Sequence, residues 1–247
     1  YKVASLAARE VKMVLTGDGA DELFAGYDKF GKFFVPEVFT LPDREFETRY
    51  LDNISLFTQG QRVKLFSAAF KLQLEEIDTF YVVESLYRKS AAMDRINQAL
   101  YLDMMLLLPG NNLVKPDRMG MAVSLENRSP FLDYRMMELA FGMPGKLKLN
   151  DGVKKYIYKK AVTPLIGERL AYRKKQMFTV PIGDWFKSEL LDLCNDLLFS
   201  DRAMSRGIFN SRYVDNLFKC HVSGEANNTR EIRALMACEI WFREFID

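Results

Sequence analysis

The sequence predicts an α/β chain that is predominantly α-helical and contains few parallel strands. A short apolar run, Val11 to Leu15, is closed by a glycine loop that turns into a helix, which is the local order of an α/β nucleotide fold. From residue 43 to 106 glycine and proline are scarce, and apolar residues recur at three-to-four spacing. Together these observations favour a strand near the start and helices over most of the remaining length.

The first elements follow from hydrophobic patterning. Residues 1–10 are predicted to be the end of an amphipathic helix. Within residues 11–17, Val11, Met13, Val14 and Leu15 form a short apolar run closed by Gly17, which indicates a buried parallel strand. Residues 18–27 predict a loop turning into a helix. Because a parallel strand needs neighbours in its sheet, we expect those neighbours to come from chain that precedes Tyr1.

Helices are predicted along the rest of the chain, with a break at the loop 109–112, where Pro-Gly-Asn-Asn interrupts the pattern. After the helical stretch that ends at residue 106, the predicted helices are 113–124, 132–141, 154–162 with Pro164 following, 184–198, 211–222 and 229–245. We expect Phe178, Trp185 and Phe186 to be core residues.

Composition narrows the classes of function. The 35 basic and 33 acidic residues leave a net charge of +2, without the basic excess typical of nucleic-acid binding. No apolar run approaches the roughly 20 residues that span a bilayer, so no membrane contact is expected. The first residues do not match a signal peptide.

Cysteine and histidine usage excludes further chemistry. The cysteines are odd in number and lack C-x-x-C spacing, which argues against disulfides and zinc and favours the reducing cytoplasm; they are Cys194, Cys220 and Cys238. The single histidine, His221, excludes a histidine-rich metal site. It is expected to be an ordinary residue near a helix end, where a cation is mildly favoured.

The strongest local signal is the segment from Leu15 to Tyr27, LTGDGADELFAGY. Two glycines at the end of a strand allow a tight turn, and the helix that follows offers N–H groups to an anion. The carboxylates of Asp18, Asp21 and Glu22 would repel phosphates unless a cation such as Mg²⁺ lay between them. The alternative is that Asp18 is an N-cap and the other two simply suit a first helical turn.

This segment resembles the second nucleotide-site signature of the glutamine-hydrolysing asparagine synthetases, S-G-[ED]-G-[AGS]-D-E-[LV]-F-x-G-Y, with Thr16 in place of serine. Three further blocks resemble the family in the same order: Lys115–Asp133, Gly152–Ile157 and Arg173–Phe186. The resemblance implies that residues 1–247 are the C-terminal portion of the synthetase domain. That domain is of the adenine-nucleotide alpha-hydrolase-like (HUP, ATP-pyrophosphatase) type.

The resemblance also implies an activity: ATP adenylates the side-chain carboxylate of aspartate, and ammonia from glutamine then displaces AMP. The implied partners are aspartate, ATP and ammonia or glutamine, with ATP and Mg²⁺ as cofactors. By position, Thr16 and Gly17 would bind ATP, Asp18 would form or use the acyl-adenylate, and Asp21 would help hold Mg²⁺. Lys155 would be catalytic, stabilising charge on the α-phosphate.

Three basic residues have open roles. Lys115 and Arg118 share a helix face by spacing and would contact pyrophosphate or the aspartate carboxylates, or else form a solvated basic edge. Arg128 is expected to brace the fold through a salt bridge.

Two family features are not found in residues 1–247: the N-terminal glutaminase domain and the S-G-G-x-D-S pyrophosphate loop. We therefore expect the chain alone to be catalytically incomplete, and its open strand edge to favour a homo-oligomer. Two other interpretations stay open, an adenylating relative of β-lactam-synthetase type and a non-catalytic helical scaffold. An S-G-G-x-D-S loop upstream would favour the enzyme over the scaffold.

Overall fold

A computed structural model describes residues 1–74, 80–174 and 180–247. These residues are mostly helical with a few short strands. The chain divides into two compact units. Unit 1 comprises Tyr1–Tyr50 and Thr79–Lys174, and unit 2 comprises Leu51–Asp78 and Lys175–Asp247. Among the described residues, no helix combines the length and the apolar character needed to cross a membrane.

The α-helices and strands are numbered in chain order. The helices are α1 Lys2–Ala7, α2 Ala20–Leu23, α3 Asp28–Phe33, α4 Asp43–Ile54, α5 Gln59–Leu65, α6 Ala68–Gln73, α7 Phe80–Ser90, α8 Arg95–Leu102, α9 Val114–Met121, α10 Tyr134–Gly142, α11 Tyr156–Ile166, α12 Glu168–Ala171, α13 Ile182–Trp185, α14 Leu191–Phe199, α15 Asp201–Ser205, α16 Ser211–Ser223 and α17 Thr229–Phe245. The strands are β1 Met13–Leu15, β2 Glu126–Arg128, β3 Leu149–Asn150 and β4 Val153–Lys154. Short 3₁₀ turns occupy Pro36–Thr40, Pro130–Leu132 and Gly145–Leu147.

The parallel strand predicted near the start has a partner inside the chain. β1 lies parallel to β2, with Leu15 opposite Arg128, and the Thr16 N–H donates to the Arg128 carbonyl at 2.8 Å. The expectation that the sheet partners precede Tyr1 is therefore wrong for this neighbour. β2 escaped prediction because its three residues are polar and carry no apolar pattern.

The burial predicted for β1 is also wrong. Met13 is 48% exposed and Leu15 is 69% exposed, while Val14 is half-buried. The strand thus has an apolar surface that the described residues leave open to solvent. The apolar run identified the strand correctly but did not determine how much of it is covered.

Most predicted helices are confirmed, but the loop predicted at 109–112 is not. Pro109 lies inside a π-helical segment, Asp103–Asn112, whose last bond runs from the Leu113 N–H to the Leu108 carbonyl at 2.9 Å. The wider i→i+5 turn accommodates a proline that lacks an N–H and would disrupt an ordinary α-helix.

Two other helix boundaries differ from prediction. Pro164 lies within α11, which continues to Ile166 and ends at Gly167, where φ is +80°. The helix predicted over 184–198 is divided into α13 and α14. Of the predicted core residues at that break, Phe186 is 2% exposed but Trp185 is 37% exposed. Phe178 lies outside the described residues.

Unit 2 is held by an apolar core. Its buried residues are Leu65, Phe186, Cys194, Leu197, Leu198, Val214, Leu217, Phe218, Ile232, Leu235 and Met236. His221 lies in the last turn of α16, as expected, and it is buried beside this core at 2% exposure. Its Nε2 is 2.8 Å from the Gly183 carbonyl, and its Nδ1 accepts from the Asn228 N–H at 3.3 Å. Those contacts give the histidine a structural role.

Unit 1 contains a smaller apolar cluster beneath the acidic loop. Its buried members are Leu23, Phe24, Met104, Leu108 and Ala140. It joins α2 to the π-helical segment and α10, and so fixes the loop on one side. Hydrogen bonds of Glu22 with Tyr27 and Asn112 fix the loop on the other side.

Candidate functional site

The acidic loop begins where the two parallel strands end. β1 leads into Thr16 and Gly17, β2 leads into Ser129, and the Ser129 hydroxyl donates to the backbone carbonyl of Asp18. Ligands of open α/β sheets bind outside the carboxyl ends of the strands. The loop therefore lies where such a fold binds its ligand.

The two glycines of the loop, Gly17 and Gly19, differ in whether the structure requires a glycine at that position. Gly19 has a φ of +88°, and a Cβ there would lie 2.3 Å from Cδ2 of Leu132. Its lack of a side chain is thus required both by conformation and by packing. A Cβ on Gly17 would meet no atom within 4 Å, and the residue is exposed. The described structure therefore gives no packing reason for Gly17.

Asp21 and Lys155 form an ion pair. Lys155 Nζ lies 3.0 Å from Asp21 Oδ1, and the two side chains are 23% and 19% exposed. They come from segments separated by well over one hundred residues, α2 and the residue that precedes α11. The structure thus brings together two of the residues that the resemblance singled out.

Lys155 is held by a tight hairpin that the sequence analysis missed. β3 and β4 pair with Leu149 opposite Lys154, and the connecting residues Asp151 and Gly152 have φ of +47° and +77°. Positive φ at both central residues is the feature of a type I′ turn, and Asp-Gly is a strong signal for it. The hairpin delivers Lys155 to the edge of the acidic loop.

The backbone of Lys155 is itself constrained. Its φ is +55°, a left-handed conformation that costs a non-glycine residue roughly 1–2 kcal/mol. Its N–H donates to the carbonyl of Phe24 at 3.0 Å. Such a conformation persists where the surroundings determine it, and it is found most often at functional sites.

Gly26 leaves room for the ion pair. A Cβ at this position would lie 1.8 Å from Asp21 Oδ1 and 2.2 Å from Lys155 Cε. Any side chain would therefore displace one or both partners. The glycine was visible in the motif, but its reason becomes clear only once Lys155 is placed beside it.

Glu22 anchors the loop from below. It is 2% exposed, and its Oε1 accepts from the Tyr27 hydroxyl at 2.7 Å and from the Asn112 side-chain amide at 3.0 Å. Burial, followed by the hydrogen bond to Glu22, raises the pKa of Tyr27 well above its usual range. These contacts tie both ends of the 22–27 segment to the π-helical segment.

A second buried carboxylate lies in the same layer. Asp103 is 1% exposed, accepts from the Tyr50 hydroxyl at 2.8 Å and forms an ion pair with Lys29. Burial raises the pKa of Asp103, and the positive charge of Lys29 opposes that rise. The acidic loop therefore rests on polar groups that have specific partners.

Two clefts of unit 1 adjoin the loop. The first, of about 410 Å³, is lined in part by Thr16, Asp18 and Asp117. The second, of about 470 Å³, is mainly apolar and is lined in part by Thr16 and Lys115. Both volumes fall in the range of small-molecule sites. Lys115 and Arg118 both lie on α9 and are exposed, and among the described residues Arg118 lines neither cleft.

Positive charge collects at the start of α11. Lys154 forms an ion pair with Asp28, and Lys155 and Lys159 follow within one turn. Partial burial, followed by the like charges of Lys154 and Lys155, lowers the pKa of Lys159. A surface where cations repel one another in this way is suited to a polyanion.

The donor set for a metal is incomplete in this part of the chain. The described residues contain no group of three or more histidine, cysteine, aspartate or glutamate side chains that could hold an ion. Asp21 fits as a single carboxylate ligand, because Mg²⁺ is often held by one or two carboxylates with phosphate oxygens and water completing its shell. The remaining ligands would have to come from elsewhere.

Arg128 forms the expected salt bridge, but only with a neighbour. Its guanidinium lies 2.7 Å from Glu126 Oε1, and the two side chains are 66% and 54% exposed. An exposed pair of this kind adds little to stability, so Arg128 braces the fold only weakly.

Comparison with known proteins gives consistent matches. The asparagine synthase family model matches residues 1–243. The chain is 28% identical over 265 residues to asparagine synthetase [glutamine-hydrolyzing] 1 of Bacillus subtilis (strain 168), which covers 98% of the chain and 42% of that relative. It is 27% identical over 280 residues to a putative asparagine synthetase [glutamine-hydrolyzing] of Mycobacterium bovis, covering 100% of the chain and 41% of the relative.

A third relative matches over a shorter stretch. Asparagine synthetase [glutamine-hydrolyzing] 3 of Bacillus subtilis (strain 168) is 29% identical over 199 residues, which covers 73% of the chain and 30% of the relative. The chain thus spans less than half the length of the curated relatives it matches.

Proposed function

The chain belongs to the asparagine synthase family, and from this premise we propose that it carries part of the aspartate-adenylating site of a longer, glutamine-dependent asparagine synthetase. An oxygen of the aspartate side-chain carboxylate attacks the α-phosphorus of ATP, and pyrophosphate leaves. The nitrogen of ammonia, supplied from glutamine, then attacks the acyl carbon of β-aspartyl-AMP. AMP leaves and asparagine is formed.

Lys155 is the residue that would stabilise the first step. Negative charge builds on the α-phosphate oxygens as the carboxylate attacks, and a fixed cation acts most strongly where such charge develops. The Lys155 ammonium is held beside the loop by Asp21 and by a constrained backbone. It therefore needs little reorganisation to contact a phosphate.

Asp21 has two roles in this proposal. Its ion pair orients Lys155, and its carboxylate would also be one ligand of Mg²⁺. The ion, when bound, supplies positive charge to the phosphate oxygens. The ligands that complete its shell would include pyrophosphate oxygens and residues outside this chain.

The other loop residues bind and orient the substrates. Thr16 and Gly17 offer a hydroxyl and an uncovered backbone to ATP, and Asp18 lies on the same cleft as Thr16. Asp18 acts on the acyl-adenylate, either in its formation or in its use. Lys115 and Arg118 are exposed on α9 and would contact pyrophosphate or the aspartate carboxylates.

One observation carries the proposal: the 3.0 Å contact between Asp21 and Lys155, next to the ends of two parallel strands. The alternative in which Asp18 is an N-cap is wrong, because the N-cap of α2 is Gly19 and no side chain caps that helix. The pairing of a metal-type carboxylate with a constrained cation is the arrangement that adenylyl transfer requires.

The proposal also concerns the domain. We place residues 1–247 in the C-terminal portion of an adenine-nucleotide alpha-hydrolase-like synthetase domain, with the pyrophosphate loop and the glutaminase domain elsewhere in the protein. The chain alone would then be catalytically incomplete. Activity should be measured on the complete protein.

Isotope transfer tests the function directly. Aspartate labelled with ¹⁸O in its side-chain carboxylate is incubated with the complete protein, ATP, Mg²⁺ and glutamine, and AMP is analysed by mass spectrometry. One labelled oxygen should appear in AMP for each asparagine formed. Asparagine formed with unlabelled AMP, or with ADP and phosphate as products, would contradict the acyl-adenylate route.

A further inference from the structure

Lys148 is a buried cation to which the chemistry proposed above assigns no role. Its side chain is fully buried at 0% exposure, and among the described residues it forms no ion pair with a carboxylate. Its Nζ donates to Asn97 Oδ1 at 2.7 Å and lies 4.6 Å from the centre of the Phe141 ring. Burying a charge with so few partners is costly, so its presence calls for a reason.

The acceptor of that hydrogen bond is fixed in orientation. The Asn97 amide nitrogen donates to Asp94 Oδ2 at 2.9 Å and to the Met143 carbonyl at 2.8 Å. Asn97 Oδ1 is therefore left facing the lysine, and it can be satisfied only by a donor. Asp94 in turn caps α8 by accepting from the N–H groups of Ile96 and Asn97 at 3.1 Å.

The ammonium is charged near neutral pH although it is buried. Burial lowers the pKa of Lys148 to about 8, and the negative charge of Asp94 opposes the fall. A charged donor makes a stronger hydrogen bond than a neutral one. Lys148 thus pins its own backbone to the start of α8.

From that anchor the chain reaches Lys155 through a rigid path. Lys148 is followed immediately by β3, the type I′ turn and β4, and its carbonyl accepts from the Tyr156 N–H at 3.0 Å. The N–H of the preceding residue, Lys155, donates to the Phe24 carbonyl. A hydrogen bond at Lys148 therefore closes the base of the hairpin, and Lys155 is the residue that directly follows β4.

We infer that Lys148 is a positioning residue for the adenylating site: through Asn97 and the β3–β4 hairpin it holds Lys155 at the distance from Asp21 that catalysis needs. This inference rests on the proposed function for its kinetic consequence, but its structural part does not. A shift of about 1 Å at a reacting group can lower a rate roughly 10²-fold, so a small movement of the hairpin is sufficient.

A double-mutant cycle tests the inference in the complete protein. Lys148→Met keeps the side-chain length and removes the charge and the donor. It should lower kcat for asparagine synthesis by roughly 10–10²-fold with little change in KM for ATP. In a Lys155→Ala background the same substitution should lower kcat by no more than about two-fold, because its effect acts through Lys155.

Ile96→Val is the matched control. It trims a buried residue of α8 next to Asn97 without touching the polar link, and should leave kcat unchanged in both backgrounds. Equal fold-losses for Lys148→Met in the wild-type and Lys155→Ala backgrounds would overturn the inference, and so would normal activity of Lys148→Met alone. If Lys148→Met does not fold, Asn97→Ala removes the same contact from the other side, and the same outcomes apply.

Amide hydrogen exchange separates this inference from the proposed function. Lys148→Met should speed exchange at the amides of Lys155 and Tyr156, whereas Ile96→Val should not. This result is expected even if the wild-type protein forms no asparagine, an outcome that would refute the proposed function alone. Unchanged exchange at both amides would refute the positioning role whatever the activity.

Discussion

The two units differ in what they bury. Unit 1 encloses charged side chains, among them Glu22 at 2%, Asp103 at 1% and Lys148 at 0% exposure. The core of unit 2 is an apolar cluster, with His221 and Glu239 as its buried polar neighbours among the described residues. Buried charge opposes folding unless it is paired, whereas apolar packing favours it.

The difference teaches where function constrains the sequence. In unit 1 two of the buried charged groups are connected to a segment that carries a candidate site residue: Glu22 to the acidic loop and Lys148 to the hairpin before Lys155. Unit 2 shows no such connection in its described residues. Substitutions at Lys155, Lys148 or Gly26 in unit 1 should therefore change activity, whereas substitutions at Arg206 or Thr58 in unit 2 should change stability.

The largest expected effect belongs to Lys155. Lys155→Ala in the complete protein should lower kcat for asparagine synthesis by roughly 10²–10³-fold, about 3–4 kcal/mol, by analogy with the loss of one oxyanion donor. KM for ATP should change little, because most ground-state phosphate contacts are proposed to lie outside this chain. Steady-state kinetics at saturating aspartate and glutamine would measure both.

Arg206→Ala is the matched change in unit 2. Arg206 lies 2.7 Å from Glu239 and the pair is more buried than Asp21 and Lys155. This variant should lose roughly 2 kcal/mol of stability, the range for a hydrogen bond to a charged group, and keep its kcat. A drop in kcat equal to that of Lys155→Ala would erase the contrast between the units.

The next effect is on the pH dependence of stability. Burial lowers the pKa of Lys148 from its ordinary value of 10.5 to about 8, so between these values the unfolded chain binds more protons than the folded one. The free energy of unfolding of the wild type should therefore rise with pH across this window relative to Lys148→Met. The total rise should be roughly 3 kcal/mol, at about 1.4 kcal/mol per pKa unit.

Urea unfolding of both proteins at intervals across that window would measure the difference. Below the folded-state pKa the difference should be constant, because both states then hold the proton. A difference that does not change with pH would mean that Lys148 is not the strained buried cation that its surroundings indicate.

Substitution of Gly26 should have a slightly smaller effect, and Gly31 offers a matched control. Gly26→Ala would place a methyl group 1.8 Å from Asp21 Oδ1 and should displace the ion pair, lowering kcat by about 10²-fold, or about 2.7 kcal/mol. Gly31→Ala is its control: it lies in α3, is exposed and meets no atom within 4 Å. It should keep kcat and gain up to about 1 kcal/mol of stability from its better helix propensity.

Kinetics and thermal unfolding of the two variants would be compared side by side. A normal kcat in both variants would show that a side chain at residue 26 does not disturb the ion pair between Asp21 and Lys155. A loss of kcat in both variants would show that the effect is not specific to the ion pair.

The smallest effect is in unit 2. Thr58 caps α5 in a capping box: its Oγ1 accepts from the Gln61 N–H at 3.3 Å, and its own N–H donates to Gln61 Oε1 at 2.8 Å. Thr58→Ala should cost about 1 kcal/mol of unfolding free energy and leave kcat unchanged. A change in kcat without a change in stability would show that unit 2 takes part in catalysis.

The sequence predicted the parts of the site that are local. The order strand, glycine loop and helix around Asp18 is a short-range pattern, and the structure has β1, the loop and α2 in that order. The long helices α16 and α17 were predicted from periodicity and agree closely with the structure. Their amphipathic patterns reflect the apolar core that they share.

What could not be predicted depends on distant contacts. β2 is polar and becomes a strand only because β1 lies beside it, and Glu22 finds Asn112, 90 residues away. Lys155 was assigned to a basic helix over residues 154–162, although it precedes α11 in a left-handed conformation, and the complete burial of Lys148 was not predicted. The Asp151-Gly152 turn was the one local signal that could have revealed the hairpin.

The central claim is that Lys155 and Asp18 serve the adenylation of aspartate, and the partial reaction tests it most directly. Aspartate-dependent exchange of labelled pyrophosphate into ATP should be measured for the complete protein and for Lys155→Ala, Asp18→Ala and Arg206→Ala, alongside asparagine formation. We expect exchange and synthesis to fall together in Lys155→Ala, and Arg206→Ala to keep both. Asp18→Ala should lose synthesis, with or without exchange, depending on which side of the acyl-adenylate it acts. Near-normal exchange and synthesis in both Lys155→Ala and Asp18→Ala would contradict the account.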